Sequence, residues 1–286
     1  MTYAEWFGLY LGLYCRKLRP KTKESYQRLN ALILPILGGL ALSAITADHV
    51  QEALLAVEDS AGSRQAQLAY ALIHASLHRA CRSRHIQHNP ADAVDRPQHE
   101  AKQGRAVTGE DWHRLRPAIT GDLAFALMAF AGLRRGEVLG LRWGDVDLAA
   151  GLIHVRRALV RVDGRMQEQP TKSAAGLRSV PIDDDLRPIL KAAFRLDPRR
   201  QIINCAPETL GRRWRKAQED ASIAQPYRLH DLRHTYATRM TLAGCNLRVL
   251  QYMIGHSSYE LTVRTYAHIG AQDAVTEYRR IAGNLH

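Results

Sequence analysis

Toward its end the chain carries Arg-Leu-His-Asp-Leu-Arg-His at 228–234, Gly-His-Ser-Ser at 255–258 and Arg-Thr-Tyr-Ala-His at 264–268. Upstream, Ala-Gly-Leu-Arg-Arg-Gly-Glu-Val-Leu at 131–139 adds another arginine in a short glycine-flanked turn. Arginine presents a planar fork of donors that stays charged and matches the oxygens of a phosphate. Histidine takes or gives a proton near neutrality, and a tyrosine phenol becomes a nucleophile once its proton is removed. These residue types can together hold a phosphodiester, attack it and neutralise the charge that builds on its non-bridging oxygens. His230 and Arg233, three apart, are expected to share one helix face. In a chain of net charge +12, they point to breakage and rejoining of DNA strands through a phosphotyrosine.

Each residue has a natural part in that chemistry. Arg134 and Arg233 suit the phosphate oxygens, and Tyr266 suits attack on phosphorus, helped by His230 because a phenol of pKa about 10 is otherwise protonated. His256 can donate a hydrogen bond to phosphate, and Lys172 can protonate the leaving 5′-oxygen. Other readings stand beside these. Tyr266 is one of 11 tyrosines, and Tyr259 lies nearby in a Ser-Ser-Tyr-Glu helix start. Arg135 adjoins Arg134, so one of the two faces solvent or DNA. A lysine at a polar hairpin tip is often only solvated. His230-Asp-Leu-Arg-His234 also imitates the His-Glu-x-x-His zinc helix. Aspartate is too short for that role, Arg233 sets a positive charge beside the cation, and no third ligand is evident, so no metal is expected.

The 286 residues, 46% hydrophobic and 24% charged, suit a globular protein with one large or two ordinary domains. The basic excess is uneven. Residues 1–97 carry 11 Lys and Arg against 8 Asp and Glu, and the remaining 29 against 20 leave most of the excess in the second part. A polyanion is therefore a plausible partner. Cys15, Cys81, Cys205 and Cys245 are scattered without a metal-ligand spacing and read as free thiols in a reducing cytosol. The N-terminus has no basic-then-apolar leader, and no run reaches the roughly 18 apolar residues of a membrane span. No membrane association is expected, and the reading is a cytoplasmic, nucleoid-associated protein.

The fold class expected is mainly α with one small antiparallel sheet. Helices are predicted over Tyr3–Tyr14, from Pro20 with Pro35 and Gly38-Gly39 breaking it, over Val50–Val57, and from a Ser63 cap through Ala66, Ala69, Ile73 and Leu77 to about Cys81. No strand is predicted before residue 100. The polar stretch 98–106 is the best boundary, separating 1–97 from 107–286. After it, Thr108-Gly-Glu-Asp reads as a cap and Asp122–Gly132 as a strongly apolar helix. Strands are confined to 151–182: Leu152–Val155, Ala158–Val162 ending at an Asp163-Gly164 hairpin turn, Met166–Thr171, and Gly176–Ile182 after the turn Lys172-Ser-Ala-Ala-Gly. Helices resume from Asp183, with one expected over Gln272–Ile281.

In this order the residues resemble the tyrosine recombinase (phage integrase, Xer-like) family over nearly the whole chain. Gly-Leu-Arg-Arg-Gly-Glu matches its first catalytic arginine at Arg134, with Glu137 in a buried supporting place. Pro-Thr-Lys-Ser followed by Arg-Ser-Val-Pro-Ile matches the hairpin lysine at Lys172. Leu-His-Asp-Leu-Arg-His-Thr matches the His-x-x-Arg box at His230 and Arg233, with Asp231 supporting. Ile-Gly-His-Ser-Ser and Thr-Tyr-Ala-His match the second histidine, His256, and the nucleophile, Tyr266. The resemblance implies a helical, SAM-like core-binding domain over 1–97, a linker over 98–106 and a catalytic domain over 107–286. It implies a 3′-phosphotyrosine with a free 5′-hydroxyl, no cofactor, and a homo-tetramer on paired specific DNA sites that is a monomer or weak oligomer when free. Accessory DNA-bending or directionality proteins are further expected partners. His234 is expected to be structural and His268 to position the tyrosine's segment. Because the chain starts at the core-binding helices, no arm-site domain is expected before them.

Two basic clusters are candidates for backbone contact with DNA. Arg16, Lys17, Lys21 and Lys23, with Arg19, flank the start of the second helix, where they would otherwise be a solvated helix end. Arg212, Arg213, Arg215 and Lys216 surround Trp214 on a predicted helix. Two other functions fit the same residues: a recombinase-derived protein that binds DNA without cutting, and a relaxing enzyme of the type IB topoisomerase kind.

Overall fold

The computed structural model describes residues 1–100, 104–170 and 176–255. Lys172, His256, Tyr259, Tyr266, His268 and the helix expected over 272–281 lie outside them. Contacts divide the chain into two compact units, one of 1–102 with 162–165 and one of 103–161 with the residues from 166 onward.

Apart from 162–165, the tip of a hairpin, the first unit is helical. Helix α1 (Tyr3–Leu9) is closed by a reciprocal cap: the Glu5 amide donates to Thr2 Oγ1 at 3.3 Å and the Thr2 amide to the Glu5 carboxylate at 2.8 Å. The chain then widens into a π-helical turn over Tyr10–Tyr14. Helix α2 (Pro20–Leu37) starts on a proline, whose missing N–H costs nothing in the first turn. Pro35, expected to break the helix, sits inside its last turn, and the helix runs on to Gly38. Helices α3 (Ala47–Ala61) and α4 (Ser63–Arg82) follow. Ser63 does not cap α4. Gly62 holds the cap position with φ +87°, and the Ser63 hydroxyl lies 3.1 Å from His99 Nδ1 instead. The four helices turn their apolar stripes inward, burying Trp6, Ile33, Leu37, Val50, Leu54, Val57, Leu72, Ile73 and Leu77.

The second unit joins helices to two small sheets. Helix α5 (Gly109–Gly121) follows Thr108, which stands at the cap position but makes no side-chain capping bond. Helix α6 (Leu123–Ala131) is buried from Ala124 to Ala131 and bounded as its sequence suggests: Asp122 accepts the Ala124 amide at 2.9 Å, and Gly132 ends the helix with φ +63°. Then come α7 (Arg135–Gly140), β1 (Val146–Asp147), β2 (Leu152–Val155), β3 (Arg157–Val162), β4 (Arg165–Pro170), β5 (Arg178–Pro181), α8 (Leu186–Ala193), α9 (Pro207–Asp220), α10 (Asp231–Leu242) and α11 (Leu247–Ile254).

The single sheet expected over 151–182 is two sheets among the described residues. Strands β1, β2 and β5 form an antiparallel sheet in which Ile153 faces both Val146 and Val180, while β3 and β4 pair only with each other. The division follows burial. Ile153, Val155 and Val180 enter the core, whereas 157–160 are only half covered. Between them Arg156 and Arg157 both bond the buried Asp145, which draws the chain out of the first sheet. The β3–β4 turn has positive φ at both Asp163 (47°) and Gly164 (76°), the conformation that Asp-Gly favours. Helix α6 packs most heavily on α10, around Phe125, Leu127, Phe130, Leu139, Trp214 and Leu232. No helix of the described residues is long and apolar enough to cross a membrane.

Gly132 is required twice, by its left-handed backbone and by the Tyr236 ring, which a Cβ there would approach to 2.4 Å. Gly132→Ala should lower the free energy of unfolding by more than the roughly 1–2 kcal/mol of left-handed strain alone, measured by urea titration. A loss within that range would mean the ring moves aside at no cost.

Candidate active site

Arg134 stands at the cap of α7, and Glu137 in the first turn holds it twice. The Arg134 amide donates to Glu137 Oε2 at 2.8 Å and its Nη1 to Oε1 at 2.8 Å. Glu137 is 4% exposed, and donors on both oxygens keep it ionised in such a place. Arg178 on β5, with a side chain 0% exposed, completes the set, Nη1 to Oε1 at 3.0 Å and Nη2 to Oε2 at 2.9 Å. Burial alone would raise the Glu137 pKa, but Arg178 and then Arg134 outweigh it and hold the group at about 2.

Helix α10 supplies the second half. His230 does not share a face with Arg233 inside the helix as expected; it occupies the cap position, and the helix starts at Asp231. Asp231 is buried and accepts the Arg228 amide at 2.8 Å, with the Arg228 guanidinium 3.4 Å away. Arg233 is 2% exposed and donates to Gly132 O at 2.6 Å and to Ile254 O. The His230 ring meets His234 edge to face at 5.1 Å. Burial of much of that ring, with the charges of Arg233 and Arg134 and the neighbouring His234, outweighs Asp231 and pushes the His230 pKa down to about 4. His230 is therefore a neutral acceptor at pH 7. His234 is lowered as well, chiefly by burial. Its ring lies so close to Gly104 that a Cβ there would come within 2.3 Å, which fits the structural part expected for it.

These groups meet at one place. Arg178 Nε donates to Met253 O at 2.6 Å, Arg233 to Ile254 O and Arg134 to Gly255 O. Three arginines from three segments thus hold three consecutive carbonyls at the C-terminal end of α11, where carbonyls lack helical partners and the helix dipole is negative. Gly255, with φ +63°, gives the chain the left-handed turn that presents them. The Arg134 side chain remains 37% exposed, so a cationic edge faces solvent beside a neutral imidazole, an arrangement suited to an anion with an exchangeable proton nearby.

Arg178 is absent from the residues expected above. Its signal was the alternation in Arg-Ser-Val-Pro, which puts Arg178 on the same face as the apolar Val180, and both are buried. Lys172, His256 and Tyr266 lie outside the described residues. Arg16 and Lys17 are exposed, Lys23 is partly covered, and Lys21 pairs with Glu24 at 2.9 Å. Arg212, Arg213, Arg215 and Lys216 are exposed on α9, opposite its buried Leu210 and Trp214. Arg213 is paired with Asp122, and Lys216 with Asp220 at 3.1 Å. Among the described residues no three His, Cys, Asp or Glu side chains gather as a metal-binding group.

Residues 116–273, more than half of the chain, match the phage integrase family. The chain belongs to that family. Among curated phage integrase relatives, a putative prophage phiRv2 integrase of Mycobacterium tuberculosis is 32% identical over 188 residues, covering 57% of this chain and 50% of the relative. A tyrosine recombinase XerC-like protein of Caldanaerobacter subterraneus subsp. tengcongensis is 28% identical over 56% of this chain and 49% of its own length. The chain spans about half the length of these relatives. Among solved structures, the Tn1549 transposon integrase in complex with transposon right-end DNA shares the fold with a TM-score of 0.81 at 22% identity, over 99% of this chain and 100% of that one. A lambda integrase tetramer bound to a Holliday junction has a TM-score of 0.70 at 20% identity, over 90% and 78%.

Two outcomes follow from the charges. Glu137→Ala leaves the buried Arg178 without its carboxylate and should cost about 3–5 kcal/mol in urea unfolding. Wild-type stability should also fall on acidification. The His230 pKa is depressed from 6.5 in the unfolded chain to about 4, so its contribution is complete above 6.5 and is lost as pH falls to 4. Glu137, depressed from 4.5 to about 2, adds a second loss over that lower window. Proton NMR of the His230 ring should give a midpoint well below 6.5; a midpoint at 6.5 would contradict the burial of the ring beside Arg233 and Arg134.

Proposed function

We propose that this phage integrase family member is a site-specific DNA recombinase that cuts and rejoins strands through a tyrosine. The observation that carries the reading is the convergence of Arg134 and Arg233 on adjacent carbonyls, with both of their charges acting on a neutral His230. Two guanidiniums beside a proton acceptor suit the charge on the non-bridging oxygens of a phosphodiester under attack.

In the proposed reaction Tyr266 gives its phenolic proton to His230 and its oxygen bonds to phosphorus. The P–O5′ bond breaks, Lys172 protonates the departing 5′-oxygen, and a 3′-phosphotyrosine remains. Arg134, Arg233 and His256 hold the phosphate oxygens. The 5′-hydroxyl of a partner strand then gives its proton to Lys172 and attacks the phosphotyrosine, and as the P–O bond to tyrosine breaks His230 returns its proton to the leaving phenolate. One phosphoester replaces another at each step, so the scheme calls for neither ATP nor metal. Residues 1–97 act as the core-binding domain and 98–106 as the linker. The catalytic residues belong to 107–286, and Arg16, Lys17, Lys21, Lys23, Arg212, Arg213, Arg215 and Lys216 meet the DNA backbone. Four copies work on two paired specific sites, with accessory DNA-bending or directionality proteins, in the cytoplasm at the nucleoid.

Trapping the covalent intermediate tests this. Wild type and Tyr266→Phe are incubated with nicked suicide fragments of the source genome in EDTA and run on a denaturing gel. An adduct from wild type alone is the expected result. DNA binding by both proteins without an adduct from either would favour a binding-only protein, and relaxed plasmid without recombinant products would favour a topoisomerase-like activity.

A further inference from the structure

We propose that Arg178 is a positioning residue for phosphate binding: by taking up half of the Glu137 carboxylate, it leaves the positive charge of Arg134 available to the phosphate. This rests on the reading of the site as a phosphodiester site. Arg178 does not reach DNA itself, since its side chain is 0% exposed and its Nε, Nη1 and Nη2 are all taken by Met253 O and the Glu137 carboxylate. It acts through Glu137, whose two oxygens it shares with Arg134: Oε1 accepts from Arg134 Nη1 at 2.8 Å and from Arg178 Nη1 at 3.0 Å, and Oε2 from the Arg134 amide at 2.8 Å and from Arg178 Nη2 at 2.9 Å.

The charge balance gives the argument its force. Two guanidiniums around one carboxylate leave a net positive charge, and the 37% exposed edge of Arg134 is where solvent and ligand can meet it. Without Arg178 the carboxylate would neutralise Arg134 alone, in a poorly screened interior where such a pair interacts strongly. The same side chain holds Met253 O at 2.6 Å and so also sets the end of α11, whose next two carbonyls are held by Arg233 and Arg134. A neutral scaffold could hold α11, but it could not balance Glu137.

Inorganic phosphate is titrated into wild type, Arg178→Met, and the double variant Arg178→Met with Glu137→Gln. Binding is read from the His230 ring protons, assigned by comparison with His230→Gln. Arg178→Met should weaken phosphate binding about tenfold, and the double variant, which restores the charge balance, should return to within about threefold of wild type. Equal affinity of wild type and Arg178→Met, or a double variant as weak as Arg178→Met, would overturn the proposal. Should Arg178→Met fail to fold, the double variant decides alone, since no ionised member of the buried pair remains in it. Retained affinity is the expected result, and a tenfold loss would make Arg178 a scaffold only. If phosphate leaves His230 of wild type unmoved, the phosphodiester reading itself falls, whereas phosphate binding indifferent to Arg178 overturns this assignment and no more.

Discussion

A carboxylate taken out of water must be matched by donors at its own position, and Glu137 imposes that demand on the second unit. Its four hydrogen bonds come from the backbone and side chain of Arg134 and from both terminal nitrogens of Arg178. The start of α7 and strand β5, 41 residues apart in sequence, are therefore tied to one point. Arg178 extends the tie to α11 through Met253 O. A buried pair of this kind adds little net stability compared with apolar packing, but it is costly to break, so it selects one arrangement of the three segments.

The second constraint is the negative end of helices. Arg233 bridges the last carbonyls of two of them, Gly132 O after α6 and Ile254 O in α11, and both helices close on a glycine with φ +63°. Left-handed glycines turn the chain sharply while leaving the final carbonyls without helical partners. An arginine suits two such carbonyls at once because its donors diverge in a rigid plane. Burial, with the charges of Arg233 and Arg134 added, keeps the His230 ring neutral. Fold and proton chemistry thus share the same side chains.

Local signals were readable wherever a single segment decided the outcome. Asp122 and Gly132 mark the ends of α6, and Asp163-Gly164 turns the β3–β4 hairpin, because caps and turns depend on a few adjacent dihedrals. Signals failed where a distant partner outbid the local one. The Ser63 hydroxyl goes to His99, and β5 pairs with β2 because Val180 and Ile153 share the core.

By itself the sequence determined the family, the mainly helical class with antiparallel strands, and the choice of Arg134, Glu137, His230 and Arg233 as residues of interest, since each rests on residue types in order along the chain. Only the tertiary structure decided that His230 stands at the cap position of α10, that Arg178 shares Glu137 with Arg134, and that three arginines converge on the carbonyls of 253–255. Those facts depend on which groups find each other across 21 to 121 residues of chain. Such pairing is set by desolvation and packing in three dimensions, and short-range pattern carries no record of it.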